Sequence, residues 1–246
     1  MIETNAVRMS YEASTGRLLV LEGVSLRCET GQITSIVGPS GCGKSTLLNI
    51  LAGLDPPDDG SVLVEGKVGY MMQDALLLPW RTLAENAILG AELMNGRTRH
   101  DREVLDNYLA AFDLAQFSGI YPQTASGGMK QRLVLIRTLL TQPAVVLLDE
   151  PFSNLDFEVK LKIQRFLIEY HLKHSTTLVI VTHDIEDAIA LSDKVVILSN
   201  RPAIVKTTIP IDIGSAKYDP VMARKSPRFT EYFTRIWEEI KYFDEQ

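Results

Sequence analysis

Residues Gly38 to Ser45 read GPSGCGKS, which fits the spacing G-x-x-x-x-G-K-S/T. The run ITSIV (Ile33 to Val37) precedes it, and STLLNILAGL (Ser45 to Leu54) follows. The order predicted is buried strand, tight loop, helix, the context in which such a run cradles phosphate. Free backbone N–H groups and the helix dipole favour an anion there. Gly38, Gly41 and Gly43 allow the backbone to wrap closely, since a Cβ would block positive φ or close approach. Lys44 is expected to reach the β and γ phosphates of a nucleotide, and the Ser45 hydroxyl to hold magnesium. Pro39, Ser40, Cys42 and Thr46 complete the stretch expected to touch the nucleotide.

The rest of the chain suits an α/β fold. Residues 1–35 mix short alternating apolar stretches with turns and read as β-rich. DPPDDG forms a turn before two short strand-like runs, Ser61 to Glu65 and Lys67 to Met71. Residues 83–141 are helical in pattern; Val104, Leu105, Tyr108, Leu109 and Phe112 recur at helical spacing, with Asp101 as the expected N-cap. The runs 145–149, 178–182 and 195–198 are continuously apolar, as strands buried on both faces are, so a mostly parallel central sheet is expected.

A chain of 246 residues fits one domain with a subdomain. Its net charge of −6 argues against a nucleic-acid surface or a basic membrane anchor. Two cysteines, Cys28 and Cys42, make no disulfide framework and suit a reducing compartment. No signal peptide or membrane-spanning run is expected.

A second feature, two acids, ends the run VVLLDE (Val145 to Glu150). Acids at the C-terminal end of a strand sit where ligands bind in open α/β sheets. Asp149 there is a candidate magnesium holder, and Glu150 a candidate to polarise an attacking water.

Between the cradle and this strand lies Ser126-Gly127-Gly128-Met129-Lys130-Gln131. With cradle, signature loop and acid strand in this order, the chain resembles the nucleotide-binding subunit of the ATP-binding cassette family over essentially its whole length. The resemblance implies a P-loop α/β fold of one cassette domain, residues 1–246. It would carry an N-terminal antiparallel β subdomain, a helical subdomain near 83–141 and a tail from about 205. It implies ATP and Mg²⁺ as ligands. Ser126, Gly127, Gly128 and Gln131 would belong to a second anion site that caps the γ-phosphate held by a second copy of the chain. Tyr11 would stack on adenine. Gln73 would sense magnesium and the γ-phosphate, and Ser153-Asn154-Leu155-Asp156 would cross the dimer interface. His183, after the strand LVIVT, would contact the γ-phosphate and orient Glu150. Ala125 stands where the family usually carries leucine, and Ile136 where smaller residues are favoured. Both changes are expected to loosen the signature helix without removing a phosphate donor.

The stretch LLLPWRT (Leu76 to Thr82) resembles that of importers for nitrate, sulfonates, taurine and similar small anions or heterocycles. Leu76, Leu77, Leu78 and Trp80 either face a membrane permease or fill the core. The implied assembly is two cassettes, integral membrane permease subunits and an extracytoplasmic solute-binding protein. The cassettes would lie at the cytoplasmic face of the cell membrane, with no nucleic-acid partner. The alternative is a soluble cassette ATPase acting on nucleic acid or ribosomes; such proteins carry paired cassettes or a coiled-coil insertion, and this chain has neither. A GTPase would need N-K-x-D, which is absent from the sequence. Phe229, Phe233, Ile236, Trp237, Ile240 and Phe243 fall on one helical face, expected to pack on the chain's own domain. His171 and His174 read as a solvated helix face rather than a metal site.

Overall fold

The protein is described from a computed structural model, which covers residues 1–14, 16–95, 99–214 and 217–241. Two sheets organise it. Strands β1 (Ile2–Ala13), β2 (Gly16–Cys28) and β4 (Asp59–Val64) form an antiparallel sheet in the order β2-β1-β4. Strands β3 (Ile33–Val37), β5 (Val68–Met71), β6 (Val145–Asp149), β7 (Thr177–Val181), β8 (Lys194–Leu198) and β9 (Val205–Pro210) form the central sheet, in the order β5-β6-β7-β3-β8-β9. Among the described residues of the central sheet, only β9 runs antiparallel to its neighbour. Every residue of β3, β6 and β7 is buried; β6 and β7 are apolar without alternation apart from Asp149 and Thr177 at their ends, while β3 buries Thr34 and Ser35 among its apolar residues.

Register sets the position of the site. Asp149 pairs with Val181, and Val181 with Ile36, so one row crosses three strands at their C-terminal ends. The next residues along the three chains are Glu150, Thr182 and Val37, the last of these leading into the glycine loop. With strands about 4.8 Å apart, the acids and the loop open on the same edge, roughly 10 Å from each other.

The helices are α1 (Lys44–Leu51), α2 (Leu83–Asn95), α3 (Arg99–Ala111), α4 (Gly127–Leu140), α5 (Phe157–His174), α6 (Ile185–Leu191), α7 (Pro220–Lys225) and α8 (Pro227–Lys241). Thr82 and Glu85 start α2 with a reciprocal capping box: the Thr82 N–H donates to Glu85 Oε2 at 2.8 Å, and the Glu85 N–H to Thr82 Oγ1 at 3.3 Å. Helices α2 to α4 share one core with β6, centred on Phe112, Leu133 and Ile136.

Several sequence expectations change here. Helix α3 begins at Arg99, so Asp101 lies inside its first turn rather than at the N-cap. His171 is buried, not solvated: its Nδ1 meets the Thr176 carbonyl at 2.7 Å, fastening the end of α5. Ile136 is fully buried and Ala125 sits in the same core. In α8, Phe229 and Ile236 are buried on the domain, while Trp237 is half exposed and stacks on Phe233 with centroids 6.4 Å apart. Phe243 lies outside the described residues.

Candidate nucleotide site

The glycine loop turns directly into α1. Gly43 caps that helix at φ 118°, and a Cβ there would stand 2.8 Å from Val20 Cγ1 and 2.9 Å from Leu21 Cδ2. Only glycine meets both demands, so the loop is pressed onto β2 while its N–H groups stay available. The Lys44 ammonium donates to the carbonyls of Gly38 and Pro39, each at 2.8 Å, which holds it across the loop. Cys42 is buried, and burial pushes its thiol pKa up against the pull of Lys44, so it acts as a small packing residue.

Beside the loop is a cavity of about 380 Å³. Its wall brings together Tyr11, Ser40, Gly41, Gly43, Lys44, Ser45, Thr46, Gln73, Asp149 and Glu150. Leu18, Val20 and Arg201 also line it. Sequence reading did not single out these three. Arg201 follows β8, at the ligand-binding edge of the sheet, and that position is the signal that was available. Its loop is drawn to the cavity by β2, because the Ala203 N–H donates to the Val20 carbonyl at 2.8 Å. Tyr11 is anchored at the far end, its hydroxyl 3.2 Å from Asp55 Oδ2. Burial raises the Tyr11 pKa, so the phenol stays neutral.

Asp149 is only 2% exposed, and its Oδ1 has no hydrogen-bond partner. Burial raises its pKa and the neighbouring Glu150 adds to the rise, while the Ser45 hydroxyl and Lys44 oppose it. A buried carboxylate with a free oxygen, next to a hydroxyl and a phosphate cradle, fits a hard divalent cation. Among the described residues no group of three or more His, Cys, Asp or Glu could hold a metal. A cation here would therefore draw its remaining ligands from the hydroxyl, phosphate and water, as Mg²⁺ does.

Glu150 is held in an unusual backbone state, at φ 51°. A non-glycine residue there costs on the order of 1–3 kcal/mol and persists only where its surroundings fix it. Its N–H donates to the Val181 carbonyl at 2.9 Å. Its own carbonyl accepts from Gln131 Nε2 at 2.6 Å and from Ser153 Oγ at 3.1 Å. The side chain meets His183, with Oε2 and Nδ1 2.8 Å apart. His183 itself is largely exposed.

The signature residues lie elsewhere. Ser126, Gly127 and Gly128 are not among the residues lining the cavity. Ser126 caps α4 by accepting from the Met129 N–H at 3.2 Å. A Cβ on Gly128 would come within 2.8 Å of the Asn154 carbonyl, so this end of α4 rests on the loop after β6. The Gln131 amide is engaged inside the chain, on Glu150, Ser153 and Asn154, and does not face the cavity wall.

Comparison with known proteins agrees with this geometry. Residues 21–153 match the family model described as ABC transporter. An uncharacterized ABC transporter ATP-binding protein, YtlC of Bacillus subtilis, is 36% identical over 100% of this chain and 97% of its own length. An aliphatic sulfonates import ATP-binding protein, SsuB 1 of Pseudomonas syringae, is 38% identical over 92% of this chain and 94% of its own. The dimeric post-hydrolysis structure of the cassette MJ0796 with ADP and Pi superposes with TM-score 0.79 at 27% identity, covering 86% of this chain and 99% of that one. The chain belongs to the ABC transporter family, as one of its ATP-binding subunits. It is an ABC-type ATPase, with the family's antiparallel N-terminal sheet, mostly parallel central sheet and helices.

Proposed function

We propose that this subunit hydrolyses ATP to power import of a small solute through a separate membrane permease, with an extracytoplasmic solute-binding protein delivering the solute. The solute class is a sulfonate-, nitrate- or taurine-like anion or a heterocycle; relatives named for aliphatic sulfonate import support the first of these. The observation that carries the catalytic half is the Glu150–His183 pair at 2.8 Å, with Glu150 in the wall of a cavity shared with Lys44, Ser45 and Asp149.

In this reading Tyr11 stacks on adenine, and residues 38–46 hold the phosphates through backbone N–H groups and Lys44. Glu150 takes the proton of a water whose oxygen adds to the γ-phosphorus. The bond from that phosphorus to the bridging oxygen breaks, leaving ADP and phosphate. His183 holds one Glu150 oxygen, leaving the other for the water. Gln73, at the rim, senses the γ-phosphate. Ser45 and Asp149, with Gln73, would hold Mg²⁺, which when bound neutralises charge on the phosphate oxygens. Ser126, Gly127 and Gly128 cap the γ-phosphate bound to a second copy. Solved relatives described as dimeric support that arrangement.

The partner face follows from the segment after β5. Asn86, fully buried, accepts from the Leu78 N–H at 2.7 Å and donates to the carbonyls of Leu78, Arg81 and Thr82. Arg137 holds the carbonyls of Ala75 and Leu76. On this fixed loop Leu76 is 64% and Trp80 70% exposed, while Leu77 packs on the core. An apolar pair presented on a pinned loop suits a protein partner, here the permease. Peripheral attachment at the cytoplasmic membrane face follows from such a partner. Among the described residues no helix is long and apolar enough to cross a membrane.

The test combines turnover and capture. Glu150→Gln is expected to keep ATP binding and lose about 10²–10⁴-fold in turnover. The tagged subunit, purified from detergent-extracted host membranes, is expected to bring a stoichiometric multi-span protein. Undiminished turnover refutes the base, and recovery of ribosomes or nucleic acid alone refutes the importer.

A further inference from the structure

One contact joins two parts of the proposed chemistry that would serve different ATP molecules. Gln131 lies in α4, the helix that Ser126 caps, and is only 8% exposed. Its Nε2 donates to the Glu150 carbonyl at 2.6 Å and to Ser153 Oγ at 3.2 Å. Its Oε1 accepts from the Asn154 N–H at 3.0 Å. The amide orientation is forced, because a carbonyl can only accept and a backbone N–H can only donate. Gly128 reinforces the junction by closing on the Asn154 carbonyl with no room for a Cβ.

We infer that Gln131 is a positioning residue, which fixes the peptide of Glu150 and so ties the aim of this base to the seating of α4. The inference rests on the proposed roles of Glu150 as base and of the α4 start as the cap on a second copy's nucleotide. Glu150 sits at φ 51°, a backbone state its surroundings must hold, and its carbonyl accepts from Gln131 Nε2, Ser153 Oγ and, at 3.4 Å, the Ser153 N–H. That peptide sets where the Glu150 Cα–Cβ bond starts from, and the His183 contact fixes the carboxylate beyond it. A small turn of α4 as its N-terminus closes on the partner's nucleotide is carried through the amide to the Glu150 carbonyl. Each chain would thereby have its own base correctly aimed only when its signature end is engaged. An amide suits the task because it offers a donor to Glu150 and an acceptor to Asn154 at once. A glutamate would set an anionic oxygen against the Glu150 carbonyl.

Gln131→Glu and Gln131→Met keep the length of the side chain and remove the donor to Glu150. Both are expected to lower kcat by about 10–100-fold, the scale of a misplaced catalytic group, with the KM for MgATP changed less than about threefold. Ser153→Ala, at an exposed position, is expected to cost about two- to fivefold in kcat, the share of a weaker support. The decisive readout is single-turnover hydrolysis in a Glu150→Gln background. There Gln131→Met is expected to add no further loss, because no base remains to be aimed. An equal loss in both backgrounds shows a merely structural role and overturns the inference. A raised KM with unchanged kcat shows a direct nucleotide contact and also overturns it. If Gln131→Met does not fold, Gln131→Glu and Ser153→Ala in the same two backgrounds decide the matter. If Glu150→Gln alone turns over normally, the proposed base fails, which is a separate result from wild-type kcat in the Gln131 variants.

Discussion

The cavity at the edge of the central sheet and the start of α4 both present groups suited to phosphate, yet they are built in opposite ways. The cavity draws Tyr11, Lys44, Gln73, Asp149 and Glu150 from separate elements into one wall. It contains a buried carboxylate with an oxygen left unbonded. The start of α4 has Ser126 and Gly127 exposed, and what holds it in place lies behind it, through Gly128 and Gln131. One region is a receptacle within a single chain. The other is shaped as a surface whose phosphate must come from outside that chain, which is the physical content of the proposed two-copy site.

That contrast is broken most directly by mixing two inactive variants. Gly128→Asp places a carboxylate where a Cβ already meets the Asn154 carbonyl. It is expected to abolish turnover, at least about 10²-fold, while the single chain still binds ATP, because the cavity is untouched. Glu150→Gln is inactive for the other reason. In a mixed dimer one site combines an intact Glu150 with an intact α4 start, so regions acting independently would restore up to about a quarter of the wild-type rate. The intact base there belongs to the chain whose own α4 start is blocked, so the coupling through Gln131 should hold the recovery below that quarter. Steady-state phosphate release reads this: a partial recovery is expected, and a full quarter would mean that the aim of Glu150 does not depend on the α4 start of its own chain.

Much of this contrast was legible in the sequence, and the remainder fails for identifiable reasons. Strands β6, β7 and β8 were legible because burial on both faces leaves them almost continuously apolar. That Ser40, Gly41 and residues 43–46 would gather with Asp149 and Glu150 followed from the glycine-loop spacing and from the strand end, and the places of Tyr11 and Gln73 from the family resemblance. Arg201, Leu18 and Val20 were not legible, because their approach depends on β2 pairing with the loop around Ala203. The left-handed backbone of Glu150 and its attachment to Gln131 leave no mark on local composition, since they arise where α4 meets the turn after β6. Asp101 and His171 misled because a capping residue or an imidazole reads the same whether or not packing overrules it.

A smaller effect is expected at the exposed loop. Trp80→Glu should leave ATPase activity of the isolated subunit unchanged, since Trp80 does not line the cavity. It should weaken permease capture by about 30-fold or more, as loss of a buried aromatic anchor does at an interface. Unaltered capture by co-purification would return Trp80 to the category of incidental exposure.

The smallest effects separate the two regions by their response to acid. Burial raises the Asp149 pKa, so its ionised form costs stability at neutral pH; the cost is relieved as pH falls through the raised value and is gone below the ordinary carboxylate value of about 3.9. Asp149→Asn should therefore raise Tm by about 2–4 °C at pH 7, with the gain shrinking on acidification, even as it removes the proposed cation ligand. Behind His183 the sign reverses. Burial works against ionisation of Asp184, but Lys160 outweighs it with an ammonium 2.6 Å from Oδ2 and holds the Asp184 pKa below its usual value. That contribution is present above the ordinary carboxylate pKa and is lost as pH falls through the depressed value. Lys160 also reaches Asp187 at 2.7 Å, so Lys160→Met should lower Tm at pH 7 and the deficit should narrow in acid. Because Asp184 is one-third exposed, screening limits its share to about 1 kcal/mol or less. Thermal melts of the two variants against wild type from pH 7 down to 4 should thus converge from opposite sides. Convergence from the same side would mean that the cavity carboxylate is not held there at a cost, and the argument for a cation at Asp149 would lose its thermodynamic support.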